Sequence, residues 1–132
     1  MNESLNKEFT FLCNLYDLPT ESTYIAVVDC VNAENWSGFK SECSRAFRFP
    51  DYFSGNMNSF REIINDLSWL KKSNYILMFT NPDRLLRLEN EEEKSYLKNL
   101  LDEVSLEWKN VPNYPGEDEF RKKSKFIVHY EK

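Results

Sequence analysis

TYIAVVDC, which begins at Thr23 and runs through Tyr24 to Cys30, is a short apolar run rich in β-branched residues, bounded by Ser and Thr before it and Asn after it. That pattern marks a strand buried on both faces. A second run of the same kind, NYILMFTN, is centred on residues 76–79 and closed by Pro82, and KFIVHYE supplies a third near the carboxyl end. Between the first two the period changes. Trp36, Phe39, Cys43 and Phe47 recur at helical spacing, with Asn32 or Asn35 placed to cap the amino end. Gly38 weakens this helix without forbidding it, and Pro50 is expected to end it by forcing Phe49 to extend. From Asn56 a second helix turns Met57, Phe60, Ile63, Ile64 and Leu67 to one side and Asn58, Arg61, Glu62, Asn65 and Asp66 to the other. In EKSYLKNLLDEVSLEW a longer helix carries Tyr96, Leu97, Leu100, Leu101, Val104 and Trp108 as its stripe, with Glu91, Glu92 and Glu93 where the helix dipole favours negative charge. The loop VPNYPGEDE then leads to the last strand.

Strands separated by helices imply an α/β fold: a small three-stranded, largely parallel sheet packed with helices. The opening residues stand apart. EFTFLC is a candidate extra edge strand at the amino terminus and residues 18–22 look like a linker, which divides the chain into an extension over residues 1–23 and one domain over residues 24–132.

At 132 residues, with 41% hydrophobic and 30% charged residues, the chain suits one domain that builds its core without staples. Three tryptophans, seven tyrosines and ten phenylalanines supply much of that core. No apolar run approaches the roughly 20 residues of a membrane helix, and MNESLNKE lacks the basic and apolar regions of a secretion signal. A soluble, cytoplasmic protein with no membrane partner is expected. Seventeen basic against 22 acidic residues, a formal charge of -5, argue against a nucleic-acid partner and for a basic protein. Cys13, Cys30 and Cys43 form no CxxC pair and His129 is the only histidine, so neither a disulfide framework nor a zinc site is supported. Reduced, mostly buried thiols are expected.

Catalytic chemistry leaves few traces. There is no GxGxxG, GxxxxGK[ST], HExxH or GxSxG, and the glycines are too scattered to cradle a phosphate. No enzyme activity, catalytic residue, cofactor or metal is expected. The acidic run at residues 91–93 and the basic run RKKSK at residues 121–125 read as solvated surface. FPDYFSGNMNSFREIINDL is different. It places Tyr52 and Phe53 on a loop feeding a helix whose outer side carries Asn58, Glu62 and Asp66 at four-residue steps. Aromatics beside a carboxylate row suit a protein-binding surface, although loop aromatics also tuck into cores.

The same segment resembles the barstar family of ribonuclease inhibitors. The shared pattern reads here Pro50, Asp51, Tyr52, Phe53, Ser54, Gly55, Asn56, Met57, Asn58, Ser59, Phe60, Arg61, Glu62, Ile63 and Ile64. The resemblance implies a barstar-like fold, monomeric before complex formation. It also implies an inhibitor or immunity protein that plugs the active-site cleft of a basic ribonuclease, secreted or part of a toxin. By the same resemblance the partner surface comprises Tyr52, Phe53, Ser54, Gly55, Asn58, Arg61, Glu62 and Asp66, with Asp102 on the long helix as a further acidic position. A carboxylate would stand in for an RNA phosphate while Tyr52 packs over the catalytic pocket. Four departures qualify this. Asn58 replaces the first family aspartate, Glu62 lengthens the second by one methylene, and Arg61 adds positive charge between them. Ser54 occupies the usual glycine slot with Gly55 next to it, so the residue able to take positive φ is shifted by one. Such departures allow a partner other than barnase, or an interaction module on this fold whose partner is not a ribonuclease.

Overall fold

A computed structural model describes residues 3–51, 53, 55–110 and 124–131. Its elements in chain order are α1 (Glu3–Leu15), β1 (Thr23–Asp29), α2 (Trp36–Ala46), α3 (Met57–Ile64), β2 (Asn74–Thr80), α4 (Glu91–Lys109) and β3 (Phe126–Tyr130), with short 3₁₀ turns between several of them. The expected loop VPNYPGEDE, and Arg121 to Lys123 of the basic run, lie outside the described residues.

The three strands form one parallel sheet in the order β1-β2-β3. Thr23 pairs with Asn74 and Asp29 with Thr80, while Tyr75 pairs with Phe126 and Phe79 with Tyr130. Alternation along these strands serves two cores. Ala26, Val28, Tyr75, Leu77, Phe79 and Phe126 point into the larger one, shared with Phe39, Cys43 and Phe47 of α2 and its end, Phe60 and Ile64 of α3, and Leu97, Leu100, Leu101, Val104 and Trp108 of α4. Ile25, Val27, Ile76, Met78 and Ile127 point the other way and pack with Phe9, Leu12, Cys13, Tyr16 and Leu18.

That second core overturns the edge-strand expectation for EFTFLC, which is part of α1. Phe9, Leu12, Cys13 and Tyr16 recur at three- and four-residue steps, so a helix gathers them on one side where a strand would split them. The linker reading of residues 18–22 also changes. Leu18 is buried, its amide donates to the Cys13 carbonyl at 2.8 Å, and the Thr23 hydroxyl donates to the Pro19 carbonyl at 2.6 Å.

Helix ends depart from expectation in an instructive way. α2 begins on Asn35, whose side chain accepts from the Gly38 amide. It stops at Ala46, before Pro50 acts. Arg48 turns left-handed at φ 54°, and the amides of Arg48 and Phe49 bond back to the carbonyls of Arg45 and Ser44. This is a Schellman ending without glycine. α1 closes the same way on Asp17, at φ 56°. Gly38 has a positive reason to be glycine: a Cβ there would lie 2.3 Å from the Asn32 carbonyl oxygen. In α4 the expected stripe is buried except Tyr96, which is exposed and meets Trp36 edge-to-face at 6.0 Å.

Candidate protein-binding surface

The loop between α2 and α3 is built on an aromatic anchor. Phe49 packs against Phe47, Phe53, Phe60 and Trp69, with ring centroids 5.1 to 6.3 Å apart. The Phe53 amide donates to the Pro50 carbonyl at 3.1 Å, closing a turn that brings the half-buried Phe53 ring edge-on to Phe49. Phe53 is thus partly core, the alternative that the sequence left open for a loop aromatic. Tyr52 and Ser54 lie outside the described residues. Gly55 takes φ 87° with no atom within 4 Å of a notional Cβ, so backbone conformation, not crowding, calls for glycine there.

Asn56 then caps α3, its side-chain oxygen accepting from the Ser59 amide at 2.7 Å. Phe60, Ile63 and Ile64 are buried, and this leaves Asn58 and Glu62 exposed on the opposite side one turn apart. Two contacts fix the helix in place. The Trp108 indole donates to the Ile64 carbonyl at 3.1 Å, while behind the loop the Trp69 indole donates to the Phe47 carbonyl past the end of α2 at 2.8 Å. The second contact to α3 is Arg61. Its guanidinium donates to Glu103 of α4 at 2.6 Å and lies 3.6 Å from Glu107.

That ion pair changes the charge of the surface. Arg61 read from sequence opposes Glu62, yet in the fold two carboxylates meet one guanidinium and the cluster is net acidic. The Glu103 hydrogen bond, followed by the charges of Glu103 and Glu107, holds the guanidinium pKa above its ordinary value. Sequence reasoning missed Glu103 and Glu107. The available signal was their four-residue spacing on the flank of α4 away from the buried stripe.

Two other expected residues sit apart. α3 ends at Ile64, so Asp66 is past the helix, with its carboxylate accepting from the Ser68 amide at 3.3 Å; the expected row of three along one helix is a pair. Leu67, assigned to the helix stripe, is also past its end, left-handed and fully buried. Asp102 is exposed on the flank of α4 toward Tyr130, whose phenol is pushed up mainly by burial and then by that carboxylate. Glu103 and Glu107 occupy the flank toward α3.

The thiols belong to the cores. All three cysteines are free and buried. Burial pushes the Cys30 thiol up to about 12 and raises Cys43 as well; Cys13 is raised by burial against a hydrogen bond to Thr23. His129 Nδ1 lies 2.7 Å from the Tyr16 hydroxyl, joining β3 to the end of α1. Among the described residues no three His, Cys, Asp or Glu side chains form a metal-binding group, and no helix is long and apolar enough to cross a membrane.

Comparison with known proteins adds one match. A family model described as Barstar (barnase inhibitor) matches residues 23–128, from the first residue of β1 into β3. No curated protein matches the chain. α1 lies outside the matched residues.

Proposed function

The chain belongs to the barstar family, and from that premise we propose that it is an inhibitor or immunity protein acting on a basic ribonuclease. It works by binding, not by catalysis. The target is a secreted nuclease or the nuclease domain of a toxin, and the protein guards its own cell from within the cytoplasm. The contact face is the loop of residues 50–55 with the outer side of α3: Tyr52, Phe53, Ser54, Gly55, Asn58, Arg61, Glu62 and Asp66. Asp102 is kept as an outlying acidic position. The observation that carries this reading is the capture of Arg61 by Glu103 and Glu107, which leaves Glu62 exposed on an acidic surface.

The mechanism follows from charge and shape. An RNA-cleaving site collects Arg and Lys around the phosphate, and a carboxylate on a rigid helix occupies that position with charge-assisted hydrogen bonds. Tyr52 covers the neighbouring pocket while Gly55 lets the loop approach closely. Long-range attraction between an acidic inhibitor and a basic nuclease speeds their encounter and is screened over about 8 Å at physiological ionic strength.

The test is a pull-down from the source proteome and culture medium, followed by RNA-cleavage assays with the captured partner. Recovery of a basic nuclease silenced at one-to-one stoichiometry, with an association rate that falls as salt rises, is the expected result. A second reading, a non-ribonuclease partner on the same fold, is favoured by Asn58, which removes one acidic family position. Recovery of such a partner, still sensitive to Glu62→Ala, would select it.

A further inference from the structure

β1 is an edge strand. Among the described residues β2 is its only strand neighbour, and the two pair without a bulge over seven residues. Natural edges are blunted by proline, lysine, a bulge, shortness or a covering element, because unpaired amides and carbonyls template further pairing. The other edge follows that rule: β3 has five residues, is preceded by Lys125 and ends in His129 and Tyr130. Among the described residues β1 has none of these devices. Its sequence, TYIAVVD, contains neither proline nor lysine and is β-branched at Ile25, Val27 and Val28.

The space beside it is open. A groove of about 410 Å³ runs along β1, with Phe9, Ile25 and Val27 as its apolar wall and the cations Arg48 and Lys72 on its rim, near Thr23. The Tyr24 hydroxyl donates to the Ala46 carbonyl, which draws that ring toward the end of α2. A further strand laid here would meet apolar, β-branched side chains and positive charge at the Thr23 end.

In place of the monomer that the family resemblance implies, we propose that this strand is a second copy of β1, paired antiparallel across a two-fold axis so that the two three-stranded sheets become continuous. A register centred on Ala26 is self-complementary. It sets Ala26 against Ala26 on the axis, Ile25 against Val27, and Tyr24 against Val28, the aromatic and β-branched pairings that stabilise sheets. It also sets Asp29 of each copy against Thr23 of the other, at the end of the groove where Arg48 and Lys72 supply positive charge. The two-fold makes that charge contact twice. The proposal rests on the sheet edge alone and stands apart from the nuclease-binding face on α3.

Sedimentation velocity of the full chain from about 1 to about 500 µM tests it, a range spanning weak to moderate association. The expected result is a rise from one chain mass toward two. Lys72→Glu, at an exposed position, should raise the dimer dissociation constant about tenfold, and Val27→Lys should abolish the dimer. Circular dichroism checks that each variant is folded, and the exposed Lys72→Glu stands as the test if Val27→Lys is not. Hydrogen exchange locates the interface: β1 amides should be better protected at high concentration. A monomer at every concentration would overturn the proposal. So would a dimer that both folded variants leave intact, or one whose β1 amides exchange alike at low and high concentration. Nuclease inhibition is scored separately and is indifferent to either outcome.

Discussion

Among the described residues, one face of the sheet supports α2, α3 and α4 over a core of 21 buried residues, while the other supports α1 over five. The same strands serve both, since Ala26, Val28, Leu77 and Phe79 alternate with Ile25, Val27, Ile76 and Met78. The larger core positions the candidate partner surface through Phe60, Trp108 and the Phe49 cluster. The smaller lies behind it, covered by a helix outside the residues matched to the family. One core therefore sets the geometry of the candidate surface, and the other mainly keeps an apolar sheet face from water.

The sharpest way to break this contrast is Phe60→Ala. Phe60 is fully buried under α3 against Phe39 and Phe49, so its loss should cost about 3–5 kcal/mol in denaturant unfolding. Partner binding should fall with it. Leu12→Ala in the smaller core should cost about 2–4 kcal/mol, yet leave partner affinity unchanged under conditions where the protein is folded. If Leu12→Ala weakened binding as much as Phe60→Ala, the two faces would not be separable.

At the surface the order reverses. Glu62→Ala should leave stability within about 0.5 kcal/mol but weaken partner binding about 10- to 100-fold, read by calorimetric titration. Gly38→Ala tests the larger core from its rim. Helix propensity alone predicts a gain, but the 2.3 Å approach to the Asn32 carbonyl should turn it into a loss of about 1–3 kcal/mol.

The smallest effect concerns the thiols. Cys30 and Cys43 sit in the larger core and Cys13 in the smaller, all with pKa values raised by burial. A raised folded pKa contributes stability that is complete below the unfolded value of about 8.5 and is lost as pH rises toward the folded value. Unfolding free energy should therefore decline above about pH 8.5. Alkylation of the native protein should modify Cys13 before Cys30 or Cys43, because α1 opens with less of the fold. Simultaneous labelling of all three would show the two cores opening as one unit.

Much of this was legible in the chain. TYIAVVDC and NYILMFTN read as strands because continuous apolar runs of that length fit a sheet covered on both sides. The Met57, Phe60, Ile63 and Ile64 spacing located α3, and the segment from Pro50 to Ile64 carried the family resemblance. EFTFLC misled because six residues hold too few turns to separate a helix period from a strand. Asp66 was placed on a helix that ends two residues earlier, since nothing local between Ile64 and Leu67 forces the stop; burial of Leu67 in a left-handed turn does.

Local order thus came from periodicity: strands, helices, the helix starts at Asn35 and Asn56, and the buried thiols are written in spacings of a few residues, where backbone geometry dictates which side chains share a face. Charge at the candidate surface did not. Arg61 meets Glu103 across 42 residues of chain, Trp108 reaches Ile64 across 44, and α1 finds the back of the sheet, all through packing that no local pattern encodes. Whether a cation on a helix is offered to a partner or neutralised within the fold depends on which carboxylates the sheet brings beside it, and only the tertiary arrangement decides that.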